Sequence, residues 1–492
     1  MLQTFAGMID ERSTIEGVPG PSWVGHPGVR DVLALVIAWS RDQPGRTGEV
    51  ALIDGEQILG RGGARAEDDV PRVRFQRQRP GQIAPMGPIE SVRVSRAQLR
   101  LFPHGDALHI ESIGRCPLLV NGERVERAEA RPGDTVQLGG ELVLLVARRP
   151  ERMAELTSSP LAPEMPFGAP DRFGFVGETP AAWSLRDRIA FAARADGHVL
   201  VCGESGTGKE LCAAALHGLS ARADRALVAR NAATFPAGLV DAELFGNARN
   251  YPNPGTPERD GLIGEADGTT LFLDEIGELP SALQAHLLRV LDRSGEYQRL
   301  GEARVRRADL RVVAATNRAV ADLKHDFAAR FTLRVEVPAL AERLADVPLL
   351  IRHVLVRAAA GNDEIRRRFC AVTALGVEPR IAPALVEGLL RHGFRTNTRE
   401  LAQLLWQALA ESRGDTIELT DGVARRLAET ARAAAPDEVG RAQIEVALAA
   451  AQGNVTRAAR ELGLKNRFVL YRLMKKLGVG DPGGGRGPEI TL

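Results

Sequence analysis

The stretch HVLVCGESGTGKE, His198 to Glu210, decides how the rest of the chain is read. An apolar run with strand character enters the spacing G-x-x-x-x-G-K, from Gly203 to Lys209, and an apolar helical pattern follows. Glycines at 203, 206 and 208 let the backbone N–H groups of Glu204, Ser205, Thr207 and their neighbours converge on phosphate oxygens. Lys209 reaches the β/γ-phosphates, and the helix that follows presents its positive N-terminal end. Glu210 occupies the position where a general phosphate loop has a metal-holding Ser or Thr.

Two further stretches complete a nucleotide site. In TTLFLDE, Leu271, Phe272 and Leu273 predict a buried strand that delivers Asp274 to hold Mg2+ and Glu275 to polarise an attacking water. The other reading of such an acidic pair is a helix cap. VVAATN predicts a second buried strand with Thr316 and Asn317 at its tip, near the γ-phosphate. The chemistry implied is Mg2+-dependent hydrolysis of a nucleoside triphosphate.

Outward from this centre, strands and helices alternate over 173–340, the pattern of a parallel α/β sheet, and 341–433 reads as almost wholly helical. Residues 32–150 form short apolar or β-branched runs (LALVIAW, VALI, VRVS, ALHIES, LLVNG, VQLG, LVLLVA) between Gly, Pro and Asp turns, which predicts an all-β sandwich. A linker rich in proline and small residues spans 151–172, and a second covers 434–440. The compact all-α end is 441–480, flanked by a tail at 481–492 read as disordered, and 1–31 is an N-terminal extension. The fold class expected is multidomain: sandwich, α/β ATPase with helical lid, and helical C-terminus.

Composition limits the partners. With 492 residues, 44% hydrophobic and 26% charged, the chain has ample core for several domains, and its net charge of +1 leaves any attraction to polyanions to local clusters. Asp10, Glu11 and Arg12 sit where a signal peptide needs an apolar centre, no run is long enough to span a membrane, and the four cysteines lack metal spacing. A cytoplasmic location without membrane contact is expected. One cluster is basic: between Thr456 and Leu477, Lys or Arg stands at 457, 460, 465, 467, 472, 475 and 476 against the single acid Glu461. Val455, Ala458, Ala459 and Leu462 mark one helix and Val469, Leu473 and Leu477 a second, joined at Gly463, so double-stranded DNA is the expected partner.

GESGTGKE, AELFG, TTLFLDEIGELP, LLRVL, VVAATN and TRELAQLL together resemble the ATPase domain of bacterial enhancer-binding proteins, the AAA+ activators of sigma-54 RNA polymerase, over about 173–405. The resemblance implies a homo-oligomeric ring that acts on RNA polymerase holoenzyme. It also implies that Asn231 restrains Glu275 and that Arg399 senses the γ-phosphate from the lid. The family's FREDLYYRL, which supplies arginines to a neighbouring subunit, is here FAARFTLRV: Ala328 replaces the first arginine, Arg334 matches the second, and Arg330 is an alternative. Where the family has GAFTGA, the loop that grips sigma-54, this chain has NARNYPNPGTPERDG. Either the loop engages a different partner or force is not transmitted through it.

ILGRGG, VSRAQLRL and LLVNGERV resemble the forkhead-associated (FHA) family, which implies that Arg61, Ser95 and Arg96 hold a phosphothreonine protein. Gln98 stands at that family's structural histidine and Cys116 at its peptide-reading asparagine. The C-terminus resembles a Fis-type helix-turn-helix, which directs Lys465, Asn466, Arg467 and Arg472 to the major groove and Lys475 and Lys476 to phosphates. Two functions follow as alternatives: an ATP-dependent transcriptional regulator, or a DNA-tethered scaffold or repressor in which ATP controls assembly.

Overall fold

The computed structural model describes residues 30–63, 69–158, 165–236, 238–292, 294–373, 376–429 and 441–451, with positions 458, 462, 470, 474 and 479 beyond them. The chain divides into two compact units, Met1–Ala424 and Arg425–Leu492.

The first unit begins with two antiparallel sheets. The larger has eight strands, centred on the long pair Asp31–Ser40 and Leu142–Pro150; the smaller has four, from Gln57–Leu59 to Arg127–Ala130. Leu33, Leu35, Ile37, Leu99, Leu101, Ile110, Leu142 and Leu144 fill the space between them. One expectation changes here, and one strand is new. VRVS is a turn rather than a strand, with Val94 buried and Val94 N–H bonded to Ser91 O. Strand Gln76–Arg79 is polar throughout, and its pairing with Gln82–Pro85 comes from the turn at Gly81 (φ +67°), not from apolar alternation.

The central pair of the large sheet is buried on both faces. Val32, Ala34, Val36, Val143 and Leu145 alternate with the sandwich-filling residues yet are 5% exposed or less. Their outer face meets the helices Val347–Gly361 and Pro383–Leu390. Where those helices belong to the lid, the sandwich is thus one layer of the lid's own packing.

A five-stranded parallel sheet follows, in the order Val228–Asn231, Thr270–Asp274, Arg311–Thr316, Val199–Cys202, Leu333–Glu336. Helices Pro180–Arg194 and Lys209–Gly218 cover one side, with Leu185, Ile189, Cys212 and Leu216 against Val199 and Val201. The 3-10 segment Leu340–Asp346 then leads into the helices Val347–Gly361, Asp363–Phe369, Pro383–Leu390 and Asn397–Glu411. This region is not wholly helical as expected: Cys370–Thr373 and Gly376–Pro379 form an antiparallel hairpin, in which Thr373 pairs with Gly376 and Cys370 with Pro379.

The second unit buries Ile444, Ala447, Leu448, Ala451, Ala458, Leu470 and Met474. The expected Val469, Leu473 and Leu477 lie outside the described residues, as do Lys465, Asn466, Arg467, Arg472, Lys475 and Lys476. No described helix is long and apolar enough to cross a membrane.

Candidate functional site

Strand Val199–Cys202 sits between two parallel neighbours, Arg311–Thr316 and the edge strand Leu333–Glu336, so its C-terminal end emerges inside the sheet's carboxyl edge. There the chain turns through Gly203–Gly208 into helix Lys209–Gly218. The turn needs left-handed backbone at Gly206 (φ +75°) and Gly208 (φ +101°). At Gly206 a Cβ would also lie 2.1 Å from Thr396 O, so no other residue fits beneath the lid.

Lys209, 9% exposed, donates through Nζ to Gly203 O and Glu204 O, each at 2.9 Å. Burial lowers its pKa, while Asp274 and Glu275 oppose that shift. Thr207 Oγ1 closes the turn on Glu204 O (2.9 Å), and Glu210 is exposed in the first turn of the helix, where its charge complements the helix dipole. Gly203 N–H bonds Thr316 O at 3.2 Å, bringing the sensor strand beside the loop. Thr316 is buried and its Oγ1 accepts from Arg318 N (3.1 Å), whereas Asn317 is exposed.

Asp274 and Glu275 end the strand beside the loop. Asp274 Oδ1 accepts the Glu275 N–H (2.9 Å), and Glu275 is held in left-handed backbone (φ 51°, ψ 45°), unusual for a non-glycine residue. Asn231 Oδ1 accepts from Ala233 N at 2.8 Å, and its amide nitrogen lies 3.5 Å from Asp274 Oδ2. The amide therefore faces Asp274; its expected partner Glu275 is not among its hydrogen bonds here.

The lid reaches the same loop. Arg399 Nη1 donates to Ser205 Oγ at 3.2 Å. Two residues that the sequence reading passed over lie beside it: Asn397 donates to Ser205 O (3.0 Å) and Glu204 Oε2 (3.2 Å), and Thr398 bonds Gly206 O through both N–H and Oγ1. Glu400 organises this turn by accepting from Arg395 N, Thr396 N and His392 Nε2. Burial pushes its pKa up, but these hydrogen bonds outweigh burial and hold it below the usual glutamate range. Away from the loop, Arg330 pairs with Asp292 (2.9 Å), and Arg334 is exposed on the edge strand Leu333–Glu336.

At the end of the sandwich, Ser95 Oγ accepts the Arg115 N–H (2.9 Å), and Arg61 N–H bonds Ser95 O (3.0 Å). Arg96 is exposed, and Arg61 Nε is buried without a hydrogen-bond partner. Gln98 is fully buried and bridges the loops: its Oε1 accepts from Ser95 N and Cys116 N, and its Nε2 donates to Cys116 O. Among the described residues no group of three or more His, Cys, Asp or Glu could hold a metal by itself.

The stretch after AELFG is closed on itself. Asn247 Nδ2 reaches Ala248 O (3.0 Å), Tyr251 O (3.3 Å) and Pro257 O (2.9 Å), and Asn250 Oδ1 accepts the Gly255 N–H (2.9 Å). Arg299, 3% exposed at its side chain, pairs with Glu258 and Asp260, and the Tyr251 ring lies against Gly301.

Residues 175–340 match the family of the sigma-54 interaction domain, and 435–477 match the bacterial regulatory proteins of the Fis family. The transcriptional regulatory protein ZraR of Salmonella typhimurium is 36% identical over 261 residues, 52% of this chain and 56% of that protein. ZraR of Escherichia coli O157:H7 is 34% identical over 325 residues, 63% of this chain and 71% of that protein. The crystal structure of NtrX from Brucella abortus in complex with ATP aligns at 27% identity and a TM-score of 0.44, covering 62% of this chain and 69% of that one. The chain thus spans little more than half the length of several of the regulators it matches.

Proposed function

This chain belongs to the enhancer-binding transcriptional regulators that share the sigma-54 interaction domain, and from that membership we propose that it is an ATPase that acts as a homo-oligomeric ring and binds double-stranded DNA through its C-terminal unit. The observation that carries the reading is convergence: Lys209, the adjacent pair Asp274 and Glu275, and the lid's Arg399 are drawn from three separate segments around one glycine-rich loop. The donor set fits ATP with Mg2+, since a buried ammonium faces the loop and the Asp274 carboxylate stands beside it.

In this reading Lys209 binds the β/γ-phosphates, Asp274 holds Mg2+, Glu275 takes the proton of the attacking water, and Arg399 contacts the γ-phosphate. Magnesium supplies the positive charge that offsets the triphosphate oxygens. Arg334, exposed and on an edge strand, is the arginine offered to a neighbouring subunit; Arg330 must first leave Asp292 to do the same.

The sandwich is read as an FHA domain that takes a phosphothreonine segment at Arg61, Ser95 and Arg96. Ser95 Oγ already accepts from Arg115 N–H, so its own proton is available to a phosphate oxygen. Gln98, at the position of the family's histidine, ties the Ser95 segment to the Cys116 segment and so supports the loop that carries Ser95 and Arg96.

A second reading, that of a scaffold or repressor acting without sigma-54, is favoured by the stretch 247–260. A loop whose polar groups are spent on its own backbone has few left to present at a mobile tip. In vitro transcription on a sigma-54 promoter and on a housekeeping promoter, with ATP and with a non-hydrolysable analogue, separates the two. ATP-dependent open complexes with sigma-54 holoenzyme support the first reading; their absence, with DNA binding and ATP hydrolysis intact, supports the second. A protein that neither binds nor hydrolyses ATP refutes both.

A further inference from the structure

The glycine-rich loop is held from two sides. Carbonyls of Gly203 and Glu204 take the Lys209 ammonium, and those of Ser205 and Gly206 take Asn397 and Thr398 from the lid. A trans peptide sets each C=O opposite the next residue's N–H. Fixing Ser205 O and Gly206 O toward the lid therefore turns the Gly206 and Thr207 N–H groups away from it.

Asn397 is built for this contact. It is 1% exposed and lies in left-handed backbone (φ 49°), a conformation that asparagine tolerates better than other side chains. Its Oδ1 accepts the Leu340 N–H at 2.6 Å, which fixes the amide so that its nitrogen faces the loop. One side chain thereby joins the hinge at Leu340, the lid helix and the phosphate loop. Thr398 places two donors on Gly206 O, at 3.1 Å from N–H and 2.6 Å from Oγ1. The 2.1 Å that would separate a Cβ at Gly206 from Thr396 O shows how closely the lid backbone approaches.

We propose that Asn397 and Thr398 are positioning residues: by pinning the carbonyls of Ser205 and Gly206 they pre-orient the Gly206 and Thr207 N–H groups for a nucleotide's phosphates. The proposal rests on the reading of this loop as a nucleotide site. The two residues act on phosphate recognition alone, because the base and ribose do not depend on the orientation of these peptide planes. The ordering cost of phosphate binding is then met in part in advance by the lid.

Calorimetry on the full chain with ADP and with adenosine tests this, using Thr398→Val, Thr398→Ser and Asn397→Gly, the last keeping the left-handed backbone accessible. Thr398→Val is expected to weaken ADP about fivefold and Asn397→Gly about tenfold, the scale of one or two hydrogen bonds, with adenosine changed less than about twofold. Thr398→Ser, which keeps the hydroxyl, restores ADP affinity. Equal loss for ADP and adenosine, no loss for either, or failure of serine to rescue overturns the positioning role while leaving the nucleotide site intact. A wild-type chain that binds no ADP overturns the site itself and the inference with it.

Discussion

Arg79→Ala should loosen the sandwich from the ATPase region, because it removes the main partner of a carboxylate that water cannot reach. Glu178 is 2% exposed at its side chain and accepts from Arg79 Nε (3.0 Å), Arg79 Nη2, Gly168 N (2.8 Å) and Trp183 Nε1 (3.0 Å). Arg79 also donates to Met165 O and Pro166 O and lies over the rings of Phe167 and Trp183. Truncation leaves the charge buried with two neutral donors, and one-sided removal of this kind costs about 3–5 kcal/mol. Glu178→Gln added to Arg79→Ala removes the stranded charge and should recover about half of that loss, a coupling that a double-mutant cycle measures. Urea unfolding followed by the fluorescence of Trp183, itself 1% exposed, in a background with the other three of the chain's four tryptophans replaced by Phe, reads the transition of this junction. A loss below about 1 kcal/mol for Arg79→Ala, or a double variant no more stable than the single one, would refute a pinned junction.

Glu275→Gln should retain ATP binding and lose at least about a hundredfold in hydrolysis, the usual contribution of a positioned general base; steady-state phosphate release checks it, and near-normal turnover removes Glu275 from that role. Gln98→Leu should leave Ser95 N, Cys116 N and Cys116 O without their buried partner, costing about 1–3 kcal/mol for each group left unsatisfied, and should abolish phosphothreonine-peptide binding in a titration. Glu400 carries a pKa held below its ordinary value, so its contribution to folding is present above the ordinary glutamate range and is lost as pH falls through the lower folded value. Protection factors for hydrogen exchange in 394–399, taken against the intrinsic rate at each pH, should therefore fall on acidification, and Glu400→Gln should remove that pH dependence.

What the sequence disclosed is what local spacing encodes. Gly203 to Lys209, the strand ending at Asp274 and Glu275, and the lid's Arg399 all meet at one loop. Each belongs to a motif with its own period or spacing. Thr398 opens the motif TRELAQLL and Asn397 stands just before it, but that spacing does not disclose their partners Ser205 and Gly206, which lie 192 positions away in a contact that exists only once the lid is folded over the loop. Polar strands such as Gln76–Arg79 escape a reading based on apolar alternation. The packing of the sandwich on the lid did leave a trace: LALVIAW is apolar at consecutive positions, as a strand buried on both faces must be. That run says a second face is covered but not by what, and the covering helices lie some 300 residues further on.

Two asparagines show where a nucleotide's influence has a physical route. Asn247 and Asn397 are both about fully buried, and each bonds several groups with one amide. The carbonyls bound by Asn247 belong to its own loop, so its bonds close that loop, and its outward ties run to Leu300 and Arg299 nearby. Asn397 joins segments distant in sequence, so any movement of the phosphate loop is felt at Leu340 and in the helix Asn397–Glu411. From there the path continues through contacts already formed: Glu387 accepts from Thr135 Oγ1 (2.9 Å), and Arg391 Nη1 donates to Asn121 O (2.6 Å), both in the sandwich. Coupling between two sites is reciprocal when both bias one element. The lid lies between the glycine-rich loop and the sandwich in this chain of bonds, and would be the shared element of any such coupling, whereas the closed loop at 247–260 has its described side-chain bonds elsewhere.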